Sequence, residues 1–247
     1  MVMPIYDDNP FRLPHRPIMT WGLIATNMII YFAEVTADSP QAVTRTFGLT
    51  PAALIGESSL IDALTPLLTL LSYQFLHADL MHLLGNMIFL WVFGDDIEEC
   101  LGRLRFLAFY LMVGMVGGLV YAASDAHSLM PLIGASGSIS GVVIAYVMLR
   151  PCAKITVLIA IIPLRISAYW VVGLFVISQL WNLGAASKSE VAYWCHFGGM
   201  LAGAVLFPLV KPRAVWLFQC LQPVPDTVVQ IGPQRAGGRA ARPTDLR

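Results

Sequence analysis

The chain has 247 residues, of which 57% are hydrophobic and only 12% are charged, and its formal net charge is zero. A soluble domain carries about 25% charged residues, so this composition, with a mean hydropathy of +0.70, excludes a soluble globular protein and indicates an integral membrane protein. The balanced charge gives no basis for electrostatic attraction to nucleic acid, and we predict no nucleic-acid partner.

Apolar runs between charged residues predict six membrane-spanning helices. Asp7, Asp8 and four prolines precede the first run, in the place of the basic segment of a signal peptide, and no convincing small-residue cleavage site follows the run. We therefore expect a retained span and not a signal peptide. The predicted spans cover residues 18–34, 80–94, 105–123, 135–149, 167–183 and 191–210.

Two further apolar stretches are not predicted to cross the membrane. Residues 58–76 are interrupted by polar residues and a proline, which suits a segment lying in the membrane plane. Residues 155–164 are too short to cross an apolar layer of about 30 Å. The predicted architecture is an all-α polytopic membrane protein with six transmembrane helices.

The basic residues predict the orientation. With the N-terminus in the cytoplasm, thirteen of the fifteen Lys and Arg residues lie on inner segments, and only Arg45 and Lys188 lie outside. This divides the chain into a cytoplasmic N-terminal segment (1–17), a six-helix membrane domain (18–210) and a cytoplasmic tail (211–247) that we expect to be disordered. The four cysteines are predicted at different depths, so no disulfide framework is implied.

Three polar side chains are predicted at one depth, on helices that run from the outside to the inside. With a rise of 1.5 Å per residue, Ser136, His196 and His82 lie about 20–22 Å above the inner face. This is the outer third of an apolar layer about 30 Å thick, where polar groups are costly unless they find partners. Asn86 shares the helix face of His82, since residues i and i+4 are neighbours on a helix.

Small residues are placed to let the fourth and sixth helices approach. A small-xxx-small spacing allows two backbones to come close in a bilayer. On the sixth helix the glycines share the face of His196, at positions i+3 and i+7. The glycines to which we assign helix packing around the polar layer are Gly134, Gly137, Gly141, Gly199 and Gly203.

A serine hydroxyl and an imidazole at one depth predict serine hydrolysis within the membrane. His196 would act as general base toward Ser136 and later protonate the leaving amine. The oxyanion would be held by the backbone N–H of Ser136 and by the side chains of His82 and Asn86. No carboxylate is predicted at this depth, so we expect a catalytic dyad rather than a triad.

Other interpretations stay open on these residues alone. A GxSG sequence occurs by chance in helix contacts, and a lone intramembrane histidine can simply bond a neighbouring carbonyl. A metal site could use His77, His82, Cys195 and His196, but the first two are i,i+5 and no HExxH occurs. A transporter would need polar residues through the full thickness of the membrane. Here the strongly polar residues cluster in its outer third, and Asn27 is an isolated exception.

In combination and order, these motifs resemble the rhomboid family of intramembrane serine proteases. The family's HxxxxHxxxN, GxSG and HxxGxxxG patterns fit three segments, and a fourth is similar to the turn after the second helix. In that order the segments are residues 77–86, 134–137, 196–203, and 93–98 followed by Gly102.

The resemblance implies a six-helix rhomboid-like bundle with Ser136 as nucleophile, His196 as base, and His82 and Asn86 at the oxyanion site. It implies structural roles for His77, Glu98 and Gly102. It also implies substrates that are transmembrane segments of single-pass or polytopic proteins, cut near their outer ends within the lipid bilayer. No metal and no cofactor is expected.

Three positions depart from the family's usual pattern. Leu68-Thr69 stands in place of a Trp-Arg pair, and Cys195 in place of a small alanine. Ser140 replaces an aromatic residue that could stack on the base, a role for which Tyr193 and Trp194 are candidates.

The alternative function is a catalytically weak or inactive rhomboid-like protein that binds transmembrane helices without cutting them. The retained serine and histidine favour an active serine endopeptidase. We expect a multi-pass protein of a bacterial inner membrane, with both termini in the cytoplasm.

Overall fold

A computed structural model describes residues 2–7, 16–57, 66–159, 162–184 and 191–220. These residues form nine α-helices, a three-stranded sheet and a short 3-10 turn at Tyr73–Phe75. The helices are α1 (Ile18–Val35), α2 (Pro40–Phe47), α3 (Pro51–Leu54), α4 (Pro66–Ser72), α5 (Leu80–Leu101), α6 (Arg103–Ser124), α7 (Ser136–Leu149), α8 (Ala168–Gly184) and α9 (Tyr193–Val210). The strands are β1 (Val2–Asp7), β2 (Lys154–Ile159) and β3 (Ile162–Ser167).

The predicted helical membrane bundle is confirmed. Among the described residues, α1, α5, α6 and α9 are long and apolar enough to cross a membrane, and α7 and α8 are shorter apolar helices. Each of these six helices overlaps one predicted span. We call the end of the bundle where α7 begins the site end, and the opposite end, which carries the sheet, the sheet end.

Helix α5 continues well past its predicted end at residue 94. Two of the carboxylates beyond that end are buried and paired: Asp96 lies 2.7 Å from the Arg150 guanidinium. Glu98 accepts hydrogen bonds from the backbone N–H groups of Met19 and Thr20, at 3.0 and 2.7 Å, and so caps the start of α1. Pairing removes most of the cost of placing carboxylates on this helix, so the helix can extend to Leu101. Gly102, with φ of +78°, separates it from α6.

Helix α7 lies in the centre of the bundle, packed among α5, α6, α8 and α9. Its residues from Gly137 to Val143 are buried without a break. A helix that is apolar all round is buried, either by other protein segments or by lipid. For α7 the neighbouring helices cover much of this apolar surface.

Glycines bring the backbones of α7 and α9 into contact. A Cβ added to Gly199 would collide with the carbonyl oxygen of Gly137, and one added to Gly141 would lie 2.7 Å from the carbonyl oxygen of Gly199. Helix α6 joins the same contact, since a Cβ on Gly117 would lie 2.8 Å from the carbonyl oxygen of Cys195. Side chains at these positions would force the helices apart.

The described parts of the segment between α1 and α5 pack over the site end. Tyr73 is fully buried and donates its hydroxyl hydrogen to the carbonyl oxygen of Gly114, at 2.6 Å. Its own carbonyl accepts from the N–H of Gly134, at 2.9 Å. Of the predicted in-plane stretch 58–76, residues 58–65 lie outside the described residues, and the rest forms α4 and the 3-10 turn.

The sheet is an element that the sequence analysis did not predict. Of the stretch 155–164, which was excluded as a span, residues 155–159 and 162–164 are described, and they belong to the antiparallel pair β2–β3. Strand β1 adds to the other edge of β2. Asp7 at the end of β1 accepts a hydrogen bond from the Tyr146 hydroxyl at 2.7 Å. The N-terminal residues are thereby attached to the sheet end of α7.

The prediction that the cysteines lie at separate depths is wrong for one pair, since Cys152 and Cys220 form a disulfide. After α9 the chain turns back under the bundle, and the N–H of Phe218 donates to the carbonyl oxygen of Met148 at 2.8 Å. This return brings Cys220 to the level of Cys152. Residues 221–247, which include most of the predicted disordered tail, lie outside the described residues.

We expect Gly199→Ala to destabilise the protein by about 1–3 kcal/mol, because the added methyl group meets backbone that cannot move aside. The matched control is Gly173→Ala, within α8, where an added Cβ meets nothing within 4 Å. Thermal unfolding of the detergent-purified variants, monitored by circular dichroism, should show a lower midpoint for Gly199→Ala alone. A wild-type midpoint for Gly199→Ala would contradict the close contact.

Candidate active site

Ser136 is the first residue of α7, and the turn before it sets its position. Gly134 has φ of +121°, a conformation that side-chain-bearing residues rarely adopt. Ala135 is fully buried, and its carbonyl accepts from Ile139 in the first turn of the helix. The backbone N–H of Ser136 is one of the groups at a helix start that have no partner within the helix. The hydroxyl and a free N–H donor thus come from a single residue.

His196 lies in the first turn of α9, opposite Ser136. The Nε2 atom of His196 is 2.8 Å from the Oγ atom of Ser136, a normal hydrogen-bond distance. Both residues are half-buried, between the fully buried centre of the bundle and its site end. The structure therefore brings together the two residues to which the sequence assigns nucleophile and base.

The other side of the imidazole has two neighbours. The ring of Tyr193 meets the His196 ring edge to face, with centroids 6.0 Å apart and planes at 83°. Of the two candidates for the aromatic missing at position 140, Tyr193 is the one in contact; Trp194 pairs with Phe197 instead. The second neighbour, Gln179 of α8, places its Oε1 atom 2.7 Å from Nδ1 of His196. The sequence analysis did not identify Gln179.

His82 and Asn86 lie beside the turn that precedes Ser136. A Cβ added to Gly134 would lie 2.8 Å from the His82 ring and 3.8 Å from the Asn86 amide nitrogen. The glycine is therefore needed for space as well as for its φ angle. Asn86 is 8% exposed, and its amide faces the backbone of the GxSG segment from the direction of α5. The three groups expected at the oxyanion site lie within one small volume.

His77 supports this arrangement from the loop before α5. The Asn86 amide donates to Nε2 of His77 at 3.0 Å, and the His77 and His82 rings meet edge to face at 5.1 Å. Burial lowers the pKa of His77 to about 4, and the nearby His82 adds to the shift. His77 is therefore neutral at pH 7, so Nε2 can accept. The carboxylate of Asp79 accepts a hydrogen bond from the backbone N–H of His82 at 2.9 Å and so caps the start of α5.

Cys195, which departs from the family's usual alanine, fills a gap behind the site. It is 1% exposed, and its sulfur lies 3.6 Å from the Tyr73 hydroxyl. Because Tyr73 donates to Gly114, the thiol is the donor in this contact. The same sulfur would meet a Cβ on Gly137. A larger side chain at position 195 would therefore disturb the contact between α7 and α9.

The remaining predicted residues do not contact the Ser136 hydroxyl or the His196 ring. Gly137, Gly141, Gly199 and Gly203 line the contact between α7 and α9. Glu98 and Gly102 lie at the sheet end, far from Ser136. Within the described ranges, no group of three or more His, Cys, Asp or Glu residues is arranged to hold a metal ion.

Comparison with known proteins gives an independent line of information. A family model described as Rhomboid domain matches residues 65–213. Rhomboid protein 1, mitochondrial, of Saccharomyces cerevisiae is 31% identical over 160 residues, which cover 62% of this chain and 44% of that protein. Rhomboid protease GluP of Bacillus subtilis is 33% identical over 128 residues, which cover 51% of this chain and 23% of that protein.

A third relative is Presenilin-associated rhomboid-like protein A, mitochondrial, of Danio rerio, 31% identical over 140 residues, which cover 56% of this chain and 34% of that protein. The chain thus spans less than half the length of these curated relatives. The match to the family model covers more than half of this chain and includes every residue of the candidate site. On these grounds the chain belongs to the rhomboid family of integral membrane proteins.

Proposed function

We propose that this protein is an intramembrane serine endopeptidase in which Ser136 is the nucleophile and His196 the general base. The observation that carries the proposal is the distance of 2.8 Å between Ser136 Oγ and His196 Nε2 at the start of a short, buried helix. A neighbouring base is what converts a serine hydroxyl into an effective nucleophile. One relative, from Bacillus subtilis, bears the name of a protease.

The reaction follows from these two groups. Nε2 of His196 takes the proton of Ser136 as Oγ attacks the peptide carbonyl, which forms a tetrahedral oxyanion. The imidazolium then gives this proton to the leaving amine nitrogen, and an acyl-enzyme remains. Water, deprotonated by the same Nε2, attacks the ester carbonyl, and Ser136 recovers its proton as the second product leaves. The two groups suffice for both half-reactions, and no step requires a metal or a cofactor.

The oxyanion would be stabilised by three donors on one side of Ser136. These are the backbone N–H of Ser136 and the side chains of His82 and Asn86, which border the Gly134 turn. The bond from Asn86 to His77 holds the amide in one orientation, with its second N–H free for the oxyanion. Donors fixed in advance need no reorganisation when the charge develops.

The substrates we propose are transmembrane segments of single-pass or polytopic membrane proteins, reached from the lipid bilayer. A peptide bond inside a helix is not available for attack, so the segment must unwind near the depth of Ser136. The site end would face away from the cytoplasm, and the sheet end would be cytoplasmic. Relatives with mitochondrial names do not support the narrower prediction of a bacterial inner membrane.

We expect Ser136→Ala and His196→Ala each to lower cleavage of a transmembrane model substrate in liposomes by about 10³-fold or more, because each removes one partner of a unit. The matched controls are Ser140→Ala, buried one turn further along α7, and His127→Ala on the surface. Both controls should keep wild-type rates. Cleavage products are measured by mass spectrometry, which also gives the site of cleavage.

Equal cleavage by the wild type and both site variants would contradict the proposed function. Loss of activity in Ser140→Ala to the extent seen in Ser136→Ala would also contradict it. Binding of the model segment without cleavage, under conditions in which a control protease cuts it, would favour the alternative of an inactive helix-binding protein.

A second prediction concerns Asn86. Asn86→Leu removes an oxyanion donor and should lower kcat by about 10²-fold with little change in KM, since the donor acts only on the transition state. His77→Gln keeps a hydrogen-bonding side chain beside Asn86 and should retain more activity than Asn86→Leu. A raised KM with unchanged kcat in Asn86→Leu would rule out this role.

A third prediction uses the pKa of His77. Because this pKa is lower in the folded protein than in the unfolded chain, the unfolded chain binds more protons between about pH 6.5 and pH 4. The free energy of unfolding should therefore decrease as the pH falls through this range. In His77→Gln the melting temperature should decrease less over the same range than in the wild type.

The matched control for that measurement is His127→Gln. The carboxylate of Glu57, 2.7 Å away, raises the pKa of His127, so His127 favours the folded state at low pH and loses this effect as the pH rises. In His127→Gln the melting temperature should therefore still decrease as the pH falls from about 6.5 to 4. An equal decrease in the wild type and His77→Gln would show that His77 is not buried in its neutral form.

A further inference from the structure

We propose that Gln179 is a positioning residue for the base: its amide oxygen fixes the tautomer and orientation of His196. This inference rests on the proposed function and deepens it. An imidazole can accept the proton of Ser136 at Nε2 only if its own hydrogen is on Nδ1. The residue that bonds Nδ1 therefore decides whether the base is ready to act.

The hydrogen bonds around Gln179 have a definite direction. The Ser178 hydroxyl donates to the carbonyl oxygen of Phe175 at 2.6 Å, so its oxygen remains able to accept. The Nε2 atom of Gln179 lies 3.2 Å from that hydroxyl oxygen and donates to it. This orientation turns Oε1 of the amide toward Nδ1 of His196, at 2.7 Å.

An amide oxygen only accepts, so Nδ1 of His196 must carry the hydrogen. Nε2 is then left without one, and it accepts the hydroxyl hydrogen of Ser136 at 2.8 Å. The four side chains Ser178, Gln179, His196 and Ser136 thus form one directed chain of hydrogen bonds. When the imidazole takes the proton of Ser136, the amide dipole also favours the resulting positive charge. Gln179 fills the place that a carboxylate takes in a serine triad, without a charge.

The packing of α8 argues that Gln179 has this role and is not simply part of a core. The buried residues of α8 are Ala168 and Val172, both near the sheet end. Around Gln179 the helix is open: Leu174 is 62% exposed and Trp181 is 76% exposed. Between residues that the structure describes, the bond to His196 is the side-chain hydrogen bond that joins α8 to α9.

A simpler role would be to satisfy one polar amide in an apolar environment, which is costly to leave unpaired. The two roles differ in the effect expected when the amide is replaced. If pairing alone matters, an apolar side chain of the same length removes the need for a partner and leaves the rate unchanged. If Gln179 positions His196, the same change leaves Nδ1 without an acceptor and slows catalysis.

The experiment compares Gln179→Met, Gln179→Glu and Asn182→Met with the wild type, using full-length protein in liposomes and a transmembrane model substrate. Gln179→Met keeps the length of the side chain and should lower kcat by about 10- to 100-fold, with KM within about twofold. Gln179→Glu restores an acceptor at Nδ1 and should recover most of the activity. Asn182→Met removes an amide that donates to the backbone carbonyl of Ser178 in its own helix, and this variant should keep the wild-type kcat.

A readout that does not depend on cleavage is the tautomer of His196. In protein labelled with ¹⁵N-histidine, the His196 signals are identified by their loss in His196→Ala. The wild type should show the hydrogen on Nδ1, and Gln179→Met should show a mixture of the two tautomers. This measurement decides the role of Gln179 even if the wild type and Ser136→Ala cleave equally, an outcome that would overturn the proposed function alone.

Three results would overturn the role of Gln179. The first is a wild-type kcat in Gln179→Met. The second is a Gln179→Glu variant as slow as Gln179→Met while Asn182→Met stays at the wild-type rate, since an acceptor at Nδ1 would then not be what catalysis requires. The third is the same His196 tautomer in Gln179→Met as in the wild type.

Discussion

The close contact between the backbones of α7 and α9 is the constraint on which the rest of the structure depends. Ser136 and His196 lie on these two helices, and a hydrogen bond of 2.8 Å tolerates little displacement. The contact is possible because Gly199 meets the Gly137 carbonyl where any side chain would collide. In a bilayer this close approach replaces the hydrophobic driving force that packs helices in water. The glycine contact that packs α7 against α9 therefore also sets the distance between Ser136 and His196.

Polar groups within the bundle are paired in two separate places. At the sheet end, Asp96 meets Arg150, and Glu98 meets the start of α1. At the site end, neutral groups bond one another: Asn86 with His77, and His196 with Gln179 and Ser136. Full charges thus hold helix ends, while the side chains bonded directly to His196 and Asn86 are uncharged. Neutral groups that bond one another can be kept in an apolar environment at low cost.

The sequence predicted most of the bundle because its signals are local. A run of apolar residues locates a helix, and a constant rise per residue converts position into depth, which placed Ser136, His196 and His82 in one layer. The same counting, applied from the start of α8, puts Gln179 about 17 Å along that helix, in the same region. Its polarity on an apolar helix is the signal that the sequence offers, but an uncharged amide there does not by itself indicate a partner for His196.

Other features could not be derived in this way because they join distant parts of the chain. The pairing of Cys152 with Cys220 depends on a change of chain direction after α9, which no periodic pattern records. The buried position of Asp96 depends on Arg150, which lies on another element and leaves no local signal beside Asp96. The addition of β1 to β2 requires two short segments that are far apart in the sequence to match in register.

That last pairing has a consequence for the order in which the protein is made. Val2 pairs with Ile159, so β1 has no partner until about 160 further residues have been synthesised. At about 5–20 residues per second, this delay lasts roughly 10–30 s. Five of the six apolar helices begin before or shortly after that point, so helices enter the membrane while the N-terminal strand is still unpaired. The contact between Asp7 and Tyr146 therefore forms late in assembly, when β1 packs against helices that are already in the membrane.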